Sequence, residues 1–158
     1  MRIEWLMGFR PCCGTLVLGL SLLANAGELR AQESAPPDST ITIYASGTAL
    51  EFQPSRVSAK AGTRLRIRLV NEGTLPHNIV LVRDEGDIDA LGSAAYRAQD
   101  TGYVPLEQKD RLFAYSDLAA PGETVEMTFD VPPAGEYFFV CLYPGHYSMM
   151  IGTLRSLR

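Results

Sequence analysis

Apolar and polar residues alternate in short runs along most of this chain. Ile41, Ile43 and Ala45 form one alternating set, Leu50 and Phe52 a second before Pro54, and Leu65, Ile67 and Leu69 a third after Gly62. His77 to Val82 is a fourth run, entered through the turn at Leu75-Pro76, and later runs cover about Leu112 to Tyr115, Val125-Met127-Phe129, Tyr137-Phe139-Cys141 and Met150 to Leu157. A period of two sends successive side chains to opposite faces, so each run predicts a strand, and many short strands punctuated by Gly and Pro predict an all-β sandwich. One segment departs from this period. Between Asp84 and Asp110, Ile88, Leu91, Ala95 and Ala98 make a single apolar stripe, which predicts a helix capped by Asp87 and ended near Gly102.

The N-terminal pattern is different again. Arg2 and Arg10 precede an apolar stretch from about Cys12 to Leu23, and Ala24-Asn25-Ala26 offers a small-residue cleavage site. Residues 1–26 therefore read as a secretory signal, with a second cleavage candidate after Ala31. The stretch is short for a membrane span of about 20 residues, so no stable membrane insertion is expected once the signal is removed, and the destination is the periplasm or the exterior. Residues 27–39, with Pro36-Pro37 and no periodicity, read as a flexible leader, and residues 40–158 as one domain. Cleavage would remove Cys12 and Cys13 and leave Cys141 as the sole cysteine, without a disulfide.

Composition narrows the function classes. The chain has 158 residues, 46% of them hydrophobic, and a formal net charge of −4. It can bury a core, and no basic cluster is large enough for nucleic acid. Arg64, Arg66 and Arg68 alternate with apolar residues and read as the solvated face of one strand. Asp84-Glu85-Gly86-Asp87-Ile88-Asp89 has closely spaced oxygen donors but lacks the spacing of a calcium loop, and reads as a helix start favoured by the helix dipole.

The chemistry lies in Cys141-Leu-Tyr-Pro-Gly-His146-Tyr-Ser-Met-Met150, which gathers thiolate, imidazole and thioether donors within ten residues. A trigonal His₂Cys site with a weak axial Met is a blue-copper arrangement and needs one more imidazole. The chain has two histidines, and the other, His77, opens the fourth strand run. Taken alone, each donor has an ordinary structural role: a lone Cys is commonly a small buried hydrophobe, and Met149 and Met150 point to opposite faces of a strand, so only one can be axial. Pro144 restricts the loop backbone and Gly145 permits an unusual turn before His146.

At these residues the chain resembles the cupredoxins, and within them azurin and its bacterial relatives, from about Thr40 to Leu154. Four residues separate Cys141 from His146 and three separate His146 from Met150, as in azurin-type loops; the His77-Asn78 pair, Pro144-Gly145-His146, the long insertion and Thr128-Phe-Asp130 continue the likeness. The resemblance implies a Greek-key cupredoxin β-sandwich, with the helical insertion between the His77 and Cys141 strands. It also implies one copper ion cycling between Cu(I) and Cu(II), held by His77, Cys141, His146 and Met150. Its function would be one-electron transfer by a monomer, without enzyme chemistry, to a redox protein such as a cytochrome or copper oxidase; copper sequestration or delivery is the alternative. A copper enzyme would need a second set of His ligands. In this family the counterpart of Asn78 ties the ligand loops together and nearby backbone donates to the Cys sulfur. Two departures stand out: the disulfide usual near the azurin N-terminus is missing, and Leu142 replaces the hydroxyl residue that meets that Asn, so Asn78 needs another partner. The Pro76 carbonyl occupies the position of a weak fifth contact in azurin.

Overall fold

The computed structural model describes residues 36–158. Residues 1–35, which include the segment read as a signal, most of the leader, Cys12 and Cys13, lie outside the described residues. Eight strands form two sheets: β1 (Ser39–Gly47), β2 (Arg56–Lys60), β3 (Arg64–Gly73), β4 (Val80–Val82), β5 (Leu112–Tyr115), β6 (Thr124–Asp130), β7 (Gly135–Val140) and β8 (Ile151–Leu157). One sheet has the order β1-β3-β6 and the other β2-β8-β7-β4-β5. β1 pairs parallel with β3 and β2 parallel with β8, while the remaining pairs are antiparallel. Asp38 already belongs to this frame: its N–H donates to the Arg64 carbonyl at 2.8 Å and its carboxylate accepts from the Arg64 N–H at 2.7 Å.

The predicted alternation becomes the main core. Ile43, Leu65, Ile67, Leu69, Met127 and Phe129 of the first sheet meet Leu81, Phe139 and Leu154 of the second, burial worth roughly 1.5–3 kcal/mol per large side chain. On the other side of β3, Arg66 and Arg68 reach Glu126 and Arg64 reaches Asp130 across the pair with β6. These are exposed pairs, worth at most about 1 kcal/mol each.

Four elements differ from the sequence reading. Leu50 to Phe52 forms no strand: Phe52 is buried, Gln53 pairs with Tyr44 through two backbone bonds, and Pro54 has no N–H to extend the ladder. β2 carries too little pattern to announce itself, since only Val57 and Ala59 are apolar in an edge strand paired with β8 alone. The run from His77 narrows to Val80–Val82, because Ile79 donates to the Ser116 hydroxyl instead of a ladder carbonyl. The helix, α1, spans only Ile88–Ala95. Its Asp87 makes no side-chain cap and instead accepts from Arg111 at 2.8 Å, while Asp84 caps the short 3₁₀ turn Glu85–Asp87 by accepting from Gly86 N–H. Ala98 lies past the helix, where Arg97 and Ala98 make tighter bonds to Ala94 and Ala95.

Helix α1 explains why β4 is apolar on both faces. Leu81 faces the main core, whereas Val80 and Val82 join Val140 and Leu142 in a second cluster roofed by Ile88, Leu91, Ala95 and Val104. A strand covered on both sides loses its alternation. At Gly152 a β-carbon would overlap the Phe139 ring and lie 2.7 Å from the Ser55 carbonyl. Gly152→Ala should therefore destabilise the fold by about 1–3 kcal/mol, read as a lower denaturant midpoint with an unchanged slope.

Candidate metal centre

Cys141 follows the last residue of β7, and Met150 precedes the first residue of β8. The loop between them closes on itself: Cys141 N–H donates to the Met150 carbonyl at 3.0 Å, and the His146 carbonyl accepts from both Met149 and Met150 N–H at 3.0 and 2.8 Å. Gly145 takes φ +85°, a conformation costly for a residue with a β-carbon, and so allows the chain to reverse just before His146. Met150 is fully buried with Cys141 in the main core and Met149 is 61% exposed, the opposite orientation expected of adjacent residues.

His77 lies just before β4, the strand paired with β7 in the second sheet. Its N–H and carbonyl exchange bonds with Ala119 at 3.0 and 2.8 Å. Asn71, wholly buried, braces this approach by donating from Nδ2 to the Leu75 and Ala119 carbonyls, while its Oδ1 accepts from Gly73 N–H. Sequence reading missed Asn71. The signal was its parity: it continues the inward series Leu65, Ile67, Leu69 and must therefore satisfy a polar side chain in the core.

The two routes converge. Cys141 Sγ lies 3.8 Å from His77 Nδ1 and 3.5 Å from His146 Nδ1, and the imidazole centroids are 5.0 Å apart. The three donor atoms lie within 4.8 Å of one another, and among the described residues they form the one such cluster of His, Cys, Asp or Glu. A first-row metal with bonds of about 2.0 Å to nitrogen and 2.3 Å to sulfur, at trigonal angles, requires sulfur–nitrogen separations of about 3.7 Å. The observed triangle fits that requirement.

Its surroundings suit a metal as well. Burial pushes the His77 pKa down to about 4, with the His146 charge adding to the effect, and burial also lowers His146. Both rings are therefore neutral, the ligating form, at pH 7. Burial raises the Cys141 thiol to about 11, against the opposing effect of hydrogen bonds from Asn78 and Tyr143 N–H. The missing partner of Asn78 is the backbone itself: its Oδ1 accepts from Leu142 N–H at 2.8 Å, and its Nδ2 donates to the Gly102 carbonyl at 2.8 Å.

The sequence pattern of the copper binding proteins of the plastocyanin/azurin family matches residues 39–155. The chain belongs to that family. Copper is thus its cofactor, and the soft thiol beside two imidazoles is the donor set expected for it. The chain is 36% identical over 118 residues to auracyanin-A of Chloroflexus aurantiacus, covering 73% of this chain and 72% of that protein. It is 34% identical to auracyanin-B of the same organism, covering 75% of this chain but about half, 52%, of the relative. The solved structure of auracyanin A, described as a "blue" copper protein, superposes with a TM-score of 0.71 over 75% of this chain and 98% of its own. That of auracyanin B reaches 0.74 at 32% identity, over 80% of this chain and 94% of its own. These likenesses establish the two-sheet fold as the cupredoxin sandwich.

The depressed His77 pKa sets a pH window. The unfolded imidazole takes a proton near pH 6.5 and the folded one only near 4, so the unfolded state binds more protons between these values. Copper-free protein should lose stability as pH falls from 6.5 to 4, in urea unfolding curves, and His77→Gln should flatten that slope.

Proposed function

We propose that this protein carries single electrons through one type 1 copper ion held by His77, Cys141 and His146, with Met150 as the axial donor. The observation that supports this reading most directly is the buried Sγ–Nδ1–Nδ1 triangle, with Met150 tied through its backbone to both Cys141 and His146. When bound, copper supplies a one-electron couple that thiolate and imidazole ligands accommodate in both oxidation states. The rest is done by the chain. The two histidines offer Nδ1 without needing to lose a proton, the Asn78 and Tyr143 N–H groups stabilise the thiolate, and the sandwich fixes Cys141 directly after β7 and His146 in a loop closed by its own backbone bonds, so little has to move when charge changes.

Enzyme chemistry is not part of this reading, because a second copper centre would need histidines beyond the two in the chain. The partner is read as a redox protein, a cytochrome or a second copper protein. His146 keeps 4% of its surface exposed, while Leu75 and Met149, on the two ligand loops, are 42% and 61% exposed. Exposed apolar surface of this kind suits the small contacts of weak redox encounters. The protein is read as a monomer exported to the periplasm or exterior, in keeping with the signal-like residues 1–26.

Electron paramagnetic resonance of the copper-loaded protein tests the site, with narrow copper hyperfine splitting and an intense blue thiolate band expected. Rapid reduction and reoxidation by a respiratory cytochrome would support the carrier role; a blue site inert to such partners would favour copper sequestration or delivery. Cys141→Ser should abolish the blue band entirely while the far-ultraviolet circular dichroism stays that of the folded sandwich. Met150→Leu should raise the reduction potential by removing a donor, whereas Met149→Leu should leave spectrum and potential nearly unchanged; the reverse pattern would move the axial assignment to Met149.

A further inference from the structure

The end of the helical insertion contains two consecutive residues in the left-handed region, Gly102 at φ 64° and Tyr103 at φ 66°. For glycine this is ordinary. For a bulky aromatic residue it is a rare and strained conformation that persists only where surrounding contacts determine it. Those contacts are present: Tyr103 N–H donates to the Ala98 carbonyl at 2.7 Å, the Thr101 hydroxyl bridges the Ala98 and Val104 carbonyls, and Val104 is buried in the cluster beneath α1.

The strained turn touches both ligand loops. The Gly102 carbonyl accepts from Asn78 Nδ2, one residue after His77. The Tyr103 ring meets the Tyr143 ring edge-on, with centroids 5.1 Å apart at 76°. Tyr143 in turn lies 4.9 Å from the His146 ring, and its N–H donates to Cys141 Sγ. One turn therefore bears on the segment leading from His77 and on the residue that contacts both Cys141 and His146.

We propose that Tyr103 is a positioning residue for the metal centre, a clamp from the insertion whose ring fixes Tyr143 and, through it, the Cys141 sulfur and the His146 imidazole. The inference rests on the copper-site reading for its functional meaning, but the clamp itself is a property of the folded chain. Tyr103→Gly relieves the left-handed strain and removes the ring, so a residue serving only the turn would become more favourable there. A clamp gives the opposite result at the loop.

Amide hydrogen exchange of the full chain, copper-free and Cu(I)-loaded, separates the two. Tyr103→Gly should accelerate exchange at Tyr143 and His146 by about threefold to tenfold, the range expected from losing one aromatic pair, with β3 amides such as Ile67 unchanged. Tyr103→Phe should restore the unmutated rates. The thiolate band of the Cu(II) form should shift in Tyr103→Gly and return in Tyr103→Phe. Should the Gly variant fail to fold, Tyr103→Leu keeps bulk without an edge-on ring and should show the same acceleration. Unchanged exchange at Tyr143 in the ring-deleted variant, or equal acceleration in Tyr103→Phe, would overturn the clamp. Failure of the unmutated chain to give a type 1 spectrum would instead sink the copper reading and leave the exchange comparison intact.

Discussion

The site depends on one buried carboxamide. Asn78 has no exposed surface, and both ends of its side chain are used, Oδ1 for Leu142 N–H and Nδ2 for the Gly102 carbonyl. Three segments distant in sequence are thereby fixed together: the His77 segment, the Cys141 loop and the end of the insertion. Leaving either partner unpaired in this interior would cost about 1–3 kcal/mol. The bonds thus specify an arrangement as well as stabilise it. They also show why Leu142 can stand where a hydroxyl side chain was expected, since its backbone N–H serves Asn78 while its side chain fills the cluster beneath α1.

That cluster links stability to the metal site. Val80, Val82, Val140 and Leu142 lie on the outer face of the second sheet and would meet water without the insertion. The helix covering them is short, with eight residues, and an isolated helix of that length is unstable in water. Its order comes from the apolar surface it covers. Tyr147 reinforces the contact, because its ring occupies the space where a β-carbon on Gly92 would stand. Sheet, helix and ligand loop consequently stabilise one another, and the cysteine in that loop is free.

The sequence revealed those parts in which one residue type has one dominant physical role. Strands β1, β3, β5 and β6 were legible because one or both faces are filled by regular apolar positions, and the spacing of Cys141, His146 and Met150 was visible because the donors share one loop. His77 was found by counting imidazoles. Less legible were features determined by distant partners. β2 exists because β8 is beside it; Asp87 leaves its capping role because Arg111 attracts its carboxylate; the run after His77 is shortened because a Ser116 hydroxyl replaces a ladder carbonyl. Asn71, Ser116 and Tyr103 share this character, as polar or strained residues whose purpose appears only when their contacts are known.

The same distinction governs the electrostatics. In the copper-free protein, the neutral forms of two imidazoles and a thiol bury no formal charge, and burial itself enforces those forms. The cluster therefore needs no buried counter-ion to remain folded without metal. Metal binding changes the requirement, since Cys141 must release its proton and the thiolate must be stabilised in a medium that penalises charge. Hydrogen bonds from the Asn78 and Tyr143 backbone already favour the ionised sulfur in the metal-free chain. Both donors are held by contacts leading back to Gly102 and Tyr103, which makes the insertion part of the machinery that prepares the sulfur for its charge.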